Sequence, residues 1–381
     1  MGTLFRNKAF LIVTGSDLLQ NLAIWIRNMA ILYYIMNQTQ GSPIAVSLIT
    51  VLEYAPIFVF SIIGVLSSGY WQILYVATLA SSIVSQFSQP SSLKIVKRNI
   101  KGEQVQSAIA ITQSAQSLFL IIGPIVGTFI YTVMGIMASM YVLLMLFVFS
   151  AILLTFLPKD SSKREAETSL LAEMKEGWEY VGRSRSLKML GLVFFCVGLS
   201  AGLINPLGIF LITERLGLEQ TFLQFLSGAS GLGLLIGGGI AAAVSGKLNH
   251  TTVLLAGVVC LAVTTMGEIL SNQFWLTLGM GFLGSISLAF INIVISTYMV
   301  TRIDEHLIGR VNGTITPLFI GAMLLGSSMA GVIMNQTSLF IVYIISASIM
   351  ILSIVPGMRI QFQDEQIAAI NGNSSKEDVC T

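Results

Sequence analysis

A polar segment at residues 158–188 divides this chain into two long, mostly apolar stretches, residues 9–157 and 189–356. Thirteen of the 38 charged side chains fall within these 31 positions. The few charges left in each apolar stretch cannot cover a water-soluble domain of that size. Apolar runs of about 20 residues instead have the length of a helix that crosses a lipid bilayer. The layout therefore predicts two membrane-embedded halves joined by a polar linker.

The composition supports the same interpretation. Hydrophobic residues make up 54% of the 381 positions and charged residues 10%, where soluble domains carry about 25% charged residues. The apolar runs are too long and too uniform for the alternating strands of a membrane β-barrel. The three cysteines form no zinc or disulfide pattern, and no cofactor or metal site is indicated. The predicted fold class is an all-α polytopic membrane protein.

The pattern predicts four regions along the chain. Residues 1–157 form an incomplete N-terminal helical bundle, and residues 189–358 a C-terminal bundle of six helices. Apolar residues recur at helical spacing in the linker, residues 158–188, which predicts an amphipathic helix on the cytoplasmic membrane surface. A disordered linker is the alternative. The polar residues 359–381 predict a disordered cytoplasmic tail.

About eleven membrane segments are expected, five before the linker and six after it. They are residues 9–36, 43–66, 70–92, 104–133, 136–157, 189–213, 221–245, 251–270, 274–301, 310–334 and 339–356.

Basic residues orient these segments, because cytoplasmic loops collect Lys and Arg. In the second half the basic residues fall on one side, which is predicted to be cytoplasmic: Lys188, Lys247, Arg302, Arg310 and Arg359. The first half conflicts with the rule. Three segments separate Arg6 and Lys8 from the basic cluster at residues 94–101, so both cannot lie on one side. We expect residues 43–92 to be irregular; an external amino terminus and a missing helix are the alternatives.

Three short motifs accompany the two-half layout. Residues 123–127 read Gly-Pro-Ile-Val-Gly, residues 85–90 read Ser-Gln-Phe-Ser-Gln-Pro, and residues 309–313 read Gly-Arg-Val-Asn-Gly. With these motifs the chain resembles the major facilitator superfamily, and within it the bacterial macrolide-efflux branch of drug:proton antiporters. The resemblance covers roughly residues 4–356 and is more specific for the superfamily than for the substrate.

The resemblance implies a two-bundle fold and a transporter rather than an enzyme. It implies a monomer in the bacterial cell membrane that exports small amphipathic compounds, such as macrolide-type drugs, in exchange for protons by alternating access. The partners are then the substrate, protons and lipid. No basic patch indicates a nucleic acid.

One departure from the family pattern affects this expectation. Residues 63–65 pass directly into residues 68–71, so the loop motif between helices two and three and most of helix three look deleted. Eleven segments then stand where twelve are expected. A truncated relative that transports nothing is therefore the alternative function.

A charged side chain at mid-membrane depth indicates a functional or structural role, because inserting one costs at least about 2.5 kcal/mol. Three are predicted there: Asp17, Arg27 and Glu53. With a rise of about 1.5 Å per residue, Arg27 and Glu53 lie at one depth and could pair. Glu53 is the candidate proton-coupling carboxylate and Asp17 a candidate substrate contact. A structural Arg27–Glu53 salt bridge is the alternative.

Other candidates follow from polar or small residues. Asn205 and Asn292 offer polar atoms inside apolar helices, with inter-helix hydrogen bonds as the alternative role. In the resembled family, Gly123, Pro124 and Gly127 would limit leakage between conformations, and Ser114 stands where the family often has glycine. Gly309 and Arg310 are predicted in a cytoplasmic gate loop. Glu268 lies near the outer end of its segment and is interpreted as a solvated interfacial residue. The glycine-rich run at residues 228–239 is interpreted as close helix packing.

Overall fold

The computed structural model describes residues 8–54, 102–156, 179–182, 184–244, 249–302 and 305–360. The elements within these ranges are helical, as predicted. They are α1 Lys8–Gln38, α2 Pro43–Tyr54, α3 Gly102–Thr155, α4 Arg185–Ile204, α5 Leu223–Val244, α6 His250–Leu270, α7 Phe274–Arg302, α8 Glu305–Gln336, α9 Leu339–Leu352 and α10 Ile354–Met358. The predicted segment at residues 70–92, most of the linker and the tail lie outside the described residues.

Seven stretches of the described helices have the length and hydropathy to cross a membrane. They are Ile121–Ser150, Arg185–Arg215, Gln220–Ala241, His250–Leu270, Phe274–Ile295, Thr314–Gln336 and Leu339–Met358. Six of them belong to the second half, where the sequence predicts six segments. The prediction of a polytopic helical membrane protein is confirmed.

Helix α3 contains two membrane segments that meet at Gly135. This residue has φ 75° and ψ −178°, a combination that is essentially restricted to glycine. The chain reverses there, and both arms pack on α1. Before the reversal, the Tyr33 and Thr128 hydroxyls are 3.0 Å apart; after it, the Ser16 and Ser150 hydroxyls are 2.7 Å apart. The break separates the fourth and fifth predicted segments where the sequence placed their boundary.

Helix α4 begins before the predicted end of the linker. Ser184 caps it by accepting a hydrogen bond from the Leu187 backbone N–H at 3.3 Å, so the last four linker residues belong to the helix. The preference of serine for the N-cap position explains this start.

Pro206 ends the regular part of α4. Proline has no backbone N–H, so the Gly202 carbonyl loses its partner four residues ahead. The Ser327 hydroxyl of α8 donates to that carbonyl at 3.1 Å. The chain then continues through 3-10, α and π turns, Asn205–Leu207, Gly208–Phe210 and Leu211–Arg215.

Glycines bring the helices of the second half close together. A methyl group on Gly202 would meet the Met323 carbonyl of α8, and one on Gly326 would meet the Leu199 carbonyl of α4. In the glycine-rich run of α5, Gly233 and Gly237 lie against α7 in the same way. The packing interpretation of that run is confirmed for these two residues.

Two apolar clusters occupy opposite ends of the second half. We call the first the basic-end cluster, because it lies near the helix ends that carry the basic residues. Its buried members are Val181, Leu187, Leu190, Val193, Val197, Leu254, Val258, Ala262, Ile291, Val294, Ile295, Val311, Ile315, Met350 and Ile360.

The second, the joint cluster, contains residues of both halves. The first half contributes Met29, Tyr33 and Val46. The second half contributes Leu203, Leu207, Ile209, Phe210, Leu211, Ile212, Leu223, Ile269, Ala330, Met334, Leu339, Val342 and Tyr343. The irregular turns that follow Pro206 supply much of this cluster, so the break in α4 builds the contact between the halves.

Replacing Ser327 with alanine should destabilise the protein by about 1 kcal/mol, because the buried Gly202 carbonyl then loses its donor. Thermal unfolding of the purified protein in detergent measures the loss. Ser328→Ala is the matched control, since Ser328 is exposed and bonds only within its own helix turn.

Making the Ser327→Ala substitution in a Pro206→Ala protein tests the cause of the lost stability. The introduced alanine supplies the missing backbone N–H, so the cost of Ser327→Ala should shrink there. An equal cost in both backgrounds would show that Ser327 does not act through the Gly202 carbonyl.

Candidate functional site

A cavity of about 350 Å³ lies between the two clusters. Leu223 and Tyr343 of the joint cluster line one end of it, and Val197 and Met350 of the basic-end cluster line the other. Its lining comes from α4–α9 and the turn after α4, together with Trp25 of α1. Among the described residues, the cavity lining therefore comes mainly from the second half, with one aromatic side chain from the first.

Polar side chains form one wall of this cavity. Thr264, Thr265 and Glu268 of α6 all line it, because residues three and four apart share one face of a helix. Two glycines of α7 leave room for them. A methyl group on Gly281 would lie 3.1 Å from Glu268 Oε1, and one on Gly284 would lie 2.9 Å from Thr264 Oγ1.

Glu268 is the one carboxylate among the described residues that line the cavity. It is half-buried, because part of its side chain borders the cavity. Within the described part of the chain no hydrogen-bond donor or cation is paired with it. The nearby Arg215 guanidinium instead donates to the carbonyls of Ile269 and Leu270 at 2.8 and 3.3 Å. Arg215 therefore caps the carbonyl end of α6 and anchors the turn after α4.

Tyr343 of α9 stands beside this carboxylate. The side chain is fully buried, and its hydroxyl has no hydrogen-bond partner among the described residues. Tyr343 and Glu268 line the same cavity. Burying a hydroxyl without a partner is unfavourable, so this hydroxyl gains from any hydrogen-bond partner that reaches it.

Trp25 forms the part of the lining that comes from the first half. It is held by the Gly-Pro-Ile-Val-Gly motif of α3. A methyl group on Gly123 would meet the Trp25 side chain, and one on Gly127 would lie 2.9 Å from the Trp25 carbonyl oxygen and 3.1 Å from Met29 Cβ. In this structure the motif therefore fixes the position of the side chain that faces the cavity.

Contacts between the halves close the end of the cavity opposite the basic end. Residues Pro43 and Ser47 of α2 pack directly on Gly331 of α8. The Gln220 side chain donates to the Asn37 side-chain oxygen at 3.3 Å. Together with the joint cluster, these contacts separate the cavity from that end of the molecule.

The three mid-membrane charges predicted in the first half lie on α1 and α2. Asp17 is half-buried. Arg27 is 4% exposed, and its Nε and Nη2 donate to Asn28 Oδ1 at 3.0 and 2.9 Å. Glu53 lies in the last turn of α2, and its side chain falls outside the described ones. The Arg27–Glu53 pair stays a prediction.

The other predicted residues are divided between the cavity and the rest of the fold. Asn205 lines the cavity, whereas Asn292 is exposed and lies outside its lining. Ser114 lies in α3.

Gly309 and Arg310 were predicted in a loop, but they lie in the first turns of α8. That part of the prediction is wrong, because Glu305 to Ile308 contain no helix breaker and a single glycine does not prevent a helix.

Three cavity residues were missed or misinterpreted from the sequence: Trp25, Glu268 and Tyr343. The interpretation of Glu268 as a solvated residue is wrong, since it borders the cavity. The spacing of Thr264, Thr265 and Glu268 on one helix face was an available signal. The positions of Trp25 and Tyr343 depend on how distant helices pack, which no local pattern reveals.

Comparisons with known proteins agree with this arrangement. The family model "Major Facilitator Superfamily" matches residues 46–195. The chain is 24% identical to YfiS of Bacillus subtilis (strain 168), an uncharacterized MFS-type transporter, over 391 residues that cover 92% of each chain. It is 23% identical to YkuC of the same organism, also an uncharacterized MFS-type transporter, with 84% of each chain covered.

A solved structure shares the fold. It is described as the structure of a bacterial metal transporter, and it superposes with a TM-score of 0.68 at 12% identity. The match covers 93% of this chain and 98% of that one. The chain is thus similar to major facilitator transporters over most of its length, and it shares the fold of the solved transporter structure.

Replacing Gly127 with alanine should lower the thermal stability, because the added methyl group meets the α1 backbone. The same substitution at Gly239 should leave stability unchanged or raise it by up to about 1 kcal/mol, since alanine favours a helix. Gly239 is exposed and has open space around it. Thermal unfolding of both variants measures the difference, and equal effects would contradict the close contact between α1 and α3.

Proposed function

We propose that this chain, a membrane transporter with the major facilitator fold, exports small amphipathic compounds in exchange for protons. The observation that carries the proposal is Glu268, a carboxylate without a described partner in a cavity that faces both halves. The cavity volume lies at the lower end of the range for small-molecule sites. That size favours compounds smaller than macrolides.

Glu268 can bind a proton or a positively charged group, but not both at the same oxygen atoms. A charged carboxylate inside the membrane is costly unless something neutralises it. Either a proton or a cationic substrate serves that purpose. Since the two compete for one group, loading the substrate displaces the proton and the next proton displaces the substrate, which is the chemistry of antiport.

The lining favours an organic substrate. Among the described residues that line the cavity there is one carboxylate, and there is no histidine or cysteine. Divalent metals ordinarily bind several carboxylate, imidazole or thiolate ligands. The structural relative is a metal transporter, but a metal substrate in this cavity would need donors beyond these.

Alternating access supplies the direction of transport. The halves are joined at the end marked by Asn37 and Gln220, so in the proposed cycle the substrate enters from the basic end. The basic end is predicted to be cytoplasmic, so substrate enters from the cytoplasm. Rocking of the halves then separates the joint cluster and releases the substrate outside.

The first half contributes further candidates to this proposal. Glu53 is a second carboxylate that could carry the proton, with Arg27 as its alternative partner. Asp17 would favour cationic over neutral substrates.

The truncated, non-transporting alternative differs in one outcome: it predicts no export under any gradient.

Export driven by a pH gradient in proteoliposomes tests the assignment. Glu268→Gln should lower the rate to that of protein-free vesicles, because the amide can neither take up a proton nor neutralise a cation. Glu214→Gln is the control: Glu214 is exposed and lies outside the cavity lining, so its loss should leave export intact. If Glu268→Gln exports normally and Glu53→Gln does not, coupling belongs to Glu53. The Glu268 assignment is then wrong.

The joint between the halves gives a second test. Cysteines at Asn37 and Gln220, whose side chains are hydrogen-bonded across the halves at 3.3 Å, should be joined by a short bifunctional thiol reagent that a reductant can cleave. The cross-linked protein should stop exporting, and the reductant should restore export. The two single-cysteine variants, treated with the same reagent, are the controls and should keep exporting. Full export by the cross-linked protein would contradict the proposed separation of the halves.

A further inference from the structure

We infer that the cavity recognises a protonated primary amine, a compound with one –NH₃⁺ group that Glu268 and Tyr343 bind together. The inference rests on the proposed function in one respect, since the bound compound is taken to be the exported one.

The charge of the ligand follows from the charge of the lining. Glu268 contributes one negative charge, and no Lys, Arg or His belongs to the described lining. Arg215, whose guanidinium reaches the end of α6, is engaged with the carbonyls of Ile269 and Leu270. A ligand with a single positive charge neutralises this site, whereas a dication or an anion leaves a net charge in an apolar environment.

The hydrogen-bond acceptors of the cavity lining favour a cation that carries N–H groups. The carboxylate of Glu268 accepts hydrogen bonds, and the unpartnered Tyr343 hydroxyl oxygen can accept one as well. Thr264 donates to the Leu261 carbonyl at 3.0 Å, which leaves its oxygen as a further acceptor on the same wall. An ammonium group has three donors and no acceptor. It can therefore donate to more than one acceptor of the lining, while a quaternary ammonium ion has no donor for any of them.

The rest of the cavity fits an apolar body attached to the amine. Leu226, Leu234, Leu261 and Leu288 line it beside the polar wall. Trp25 adds an aromatic surface from the first half, on which a ring or a short hydrocarbon chain can pack. The cavity of about 350 Å³ accommodates an arylalkylamine, so phenethylamine is a suitable probe.

Equilibrium binding to the purified full-length protein, without any gradient, tests the inference. Radiolabelled phenethylamine should bind, and unlabelled phenethylamine should displace it. Its N,N,N-trimethyl analogue and the neutral 2-phenylethanol should compete at least about 100-fold more weakly, because they lack either the N–H donors or the charge that the buried acceptors require. Equal competition by the trimethyl analogue would overturn the inference.

Two variants assign the recognition to the two residues. Glu268→Gln should weaken phenethylamine binding at least about tenfold, whereas Glu214→Gln should not change it. Tyr343→Phe keeps the ring and removes only the hydroxyl. It should reduce the preference for phenethylamine over the trimethyl analogue by about tenfold. An unchanged preference in a Tyr343→Phe protein with wild-type thermal stability would overturn the role of Tyr343.

This experiment and the export assay fail independently. If phenethylamine binds with the expected selectivity but no gradient drives export, the amine site stands and the antiport proposal is wrong. If other compounds are exported through Glu268 while phenethylamine does not bind, the antiport proposal stands and the amine inference is wrong.

Discussion

The apolar contact between the two halves is the interaction on which the rest of this structure depends. Tyr33 and Val46 of the first half are almost completely buried against Phe210 and its neighbours in the second. Inside a bilayer this contact is stabilised by close packing more than by the hydrophobic effect, because lipid is as apolar as the side chains. A contact of that kind can separate without exposing apolar groups to water across its whole area, which suits an interface that has to open.

The break at Pro206 connects this contact to the cavity. Because the proline ends regular α4, the following turns reach the joint cluster and place Asn205 at the cavity. Ser327 compensates for the lost backbone hydrogen bond, and Arg215 ties the end of the same turns to α6, one residue beyond Glu268. A movement of the turns when the halves separate would therefore be transmitted to the helix that carries the carboxylate.

The sequence predicted much of the architecture. Hydropathy and linker charge predicted the two halves and the six helices of the second one, and the glycine-rich run predicted close helix packing, whose partner, α7, is seen only in the structure. The site was harder to predict. Charges in the middle of a segment indicate a site, which favours Asp17, Arg27 and Glu53, whereas the position of Glu268 near the end of its segment predicts contact with water.

The number of residues between Glu268 and its helix end gives a wrong estimate of its surroundings, for a physical reason. The turns after α4 and the joint cluster cover the end of α6, so this carboxylate borders a cavity inside the fold even though it lies near a helix end. In the sequence, Tyr343 is an ordinary aromatic residue of an apolar helix. Its importance follows only from the packing of α9 beside α6. These relations depend on contacts between residues about 75 positions apart.

Carbodiimide labelling tests the central claim most directly. Dicyclohexylcarbodiimide adds to a protonated carboxyl group in an apolar environment, and mass spectrometry of the full-length protein identifies the modified residue. We expect Glu268 to be modified and phenethylamine to protect it, because proton and amine occupy the same oxygen atoms. An unmodified Glu268, or equal modification with and without the amine, would contradict the account of this carboxylate as the exchange site.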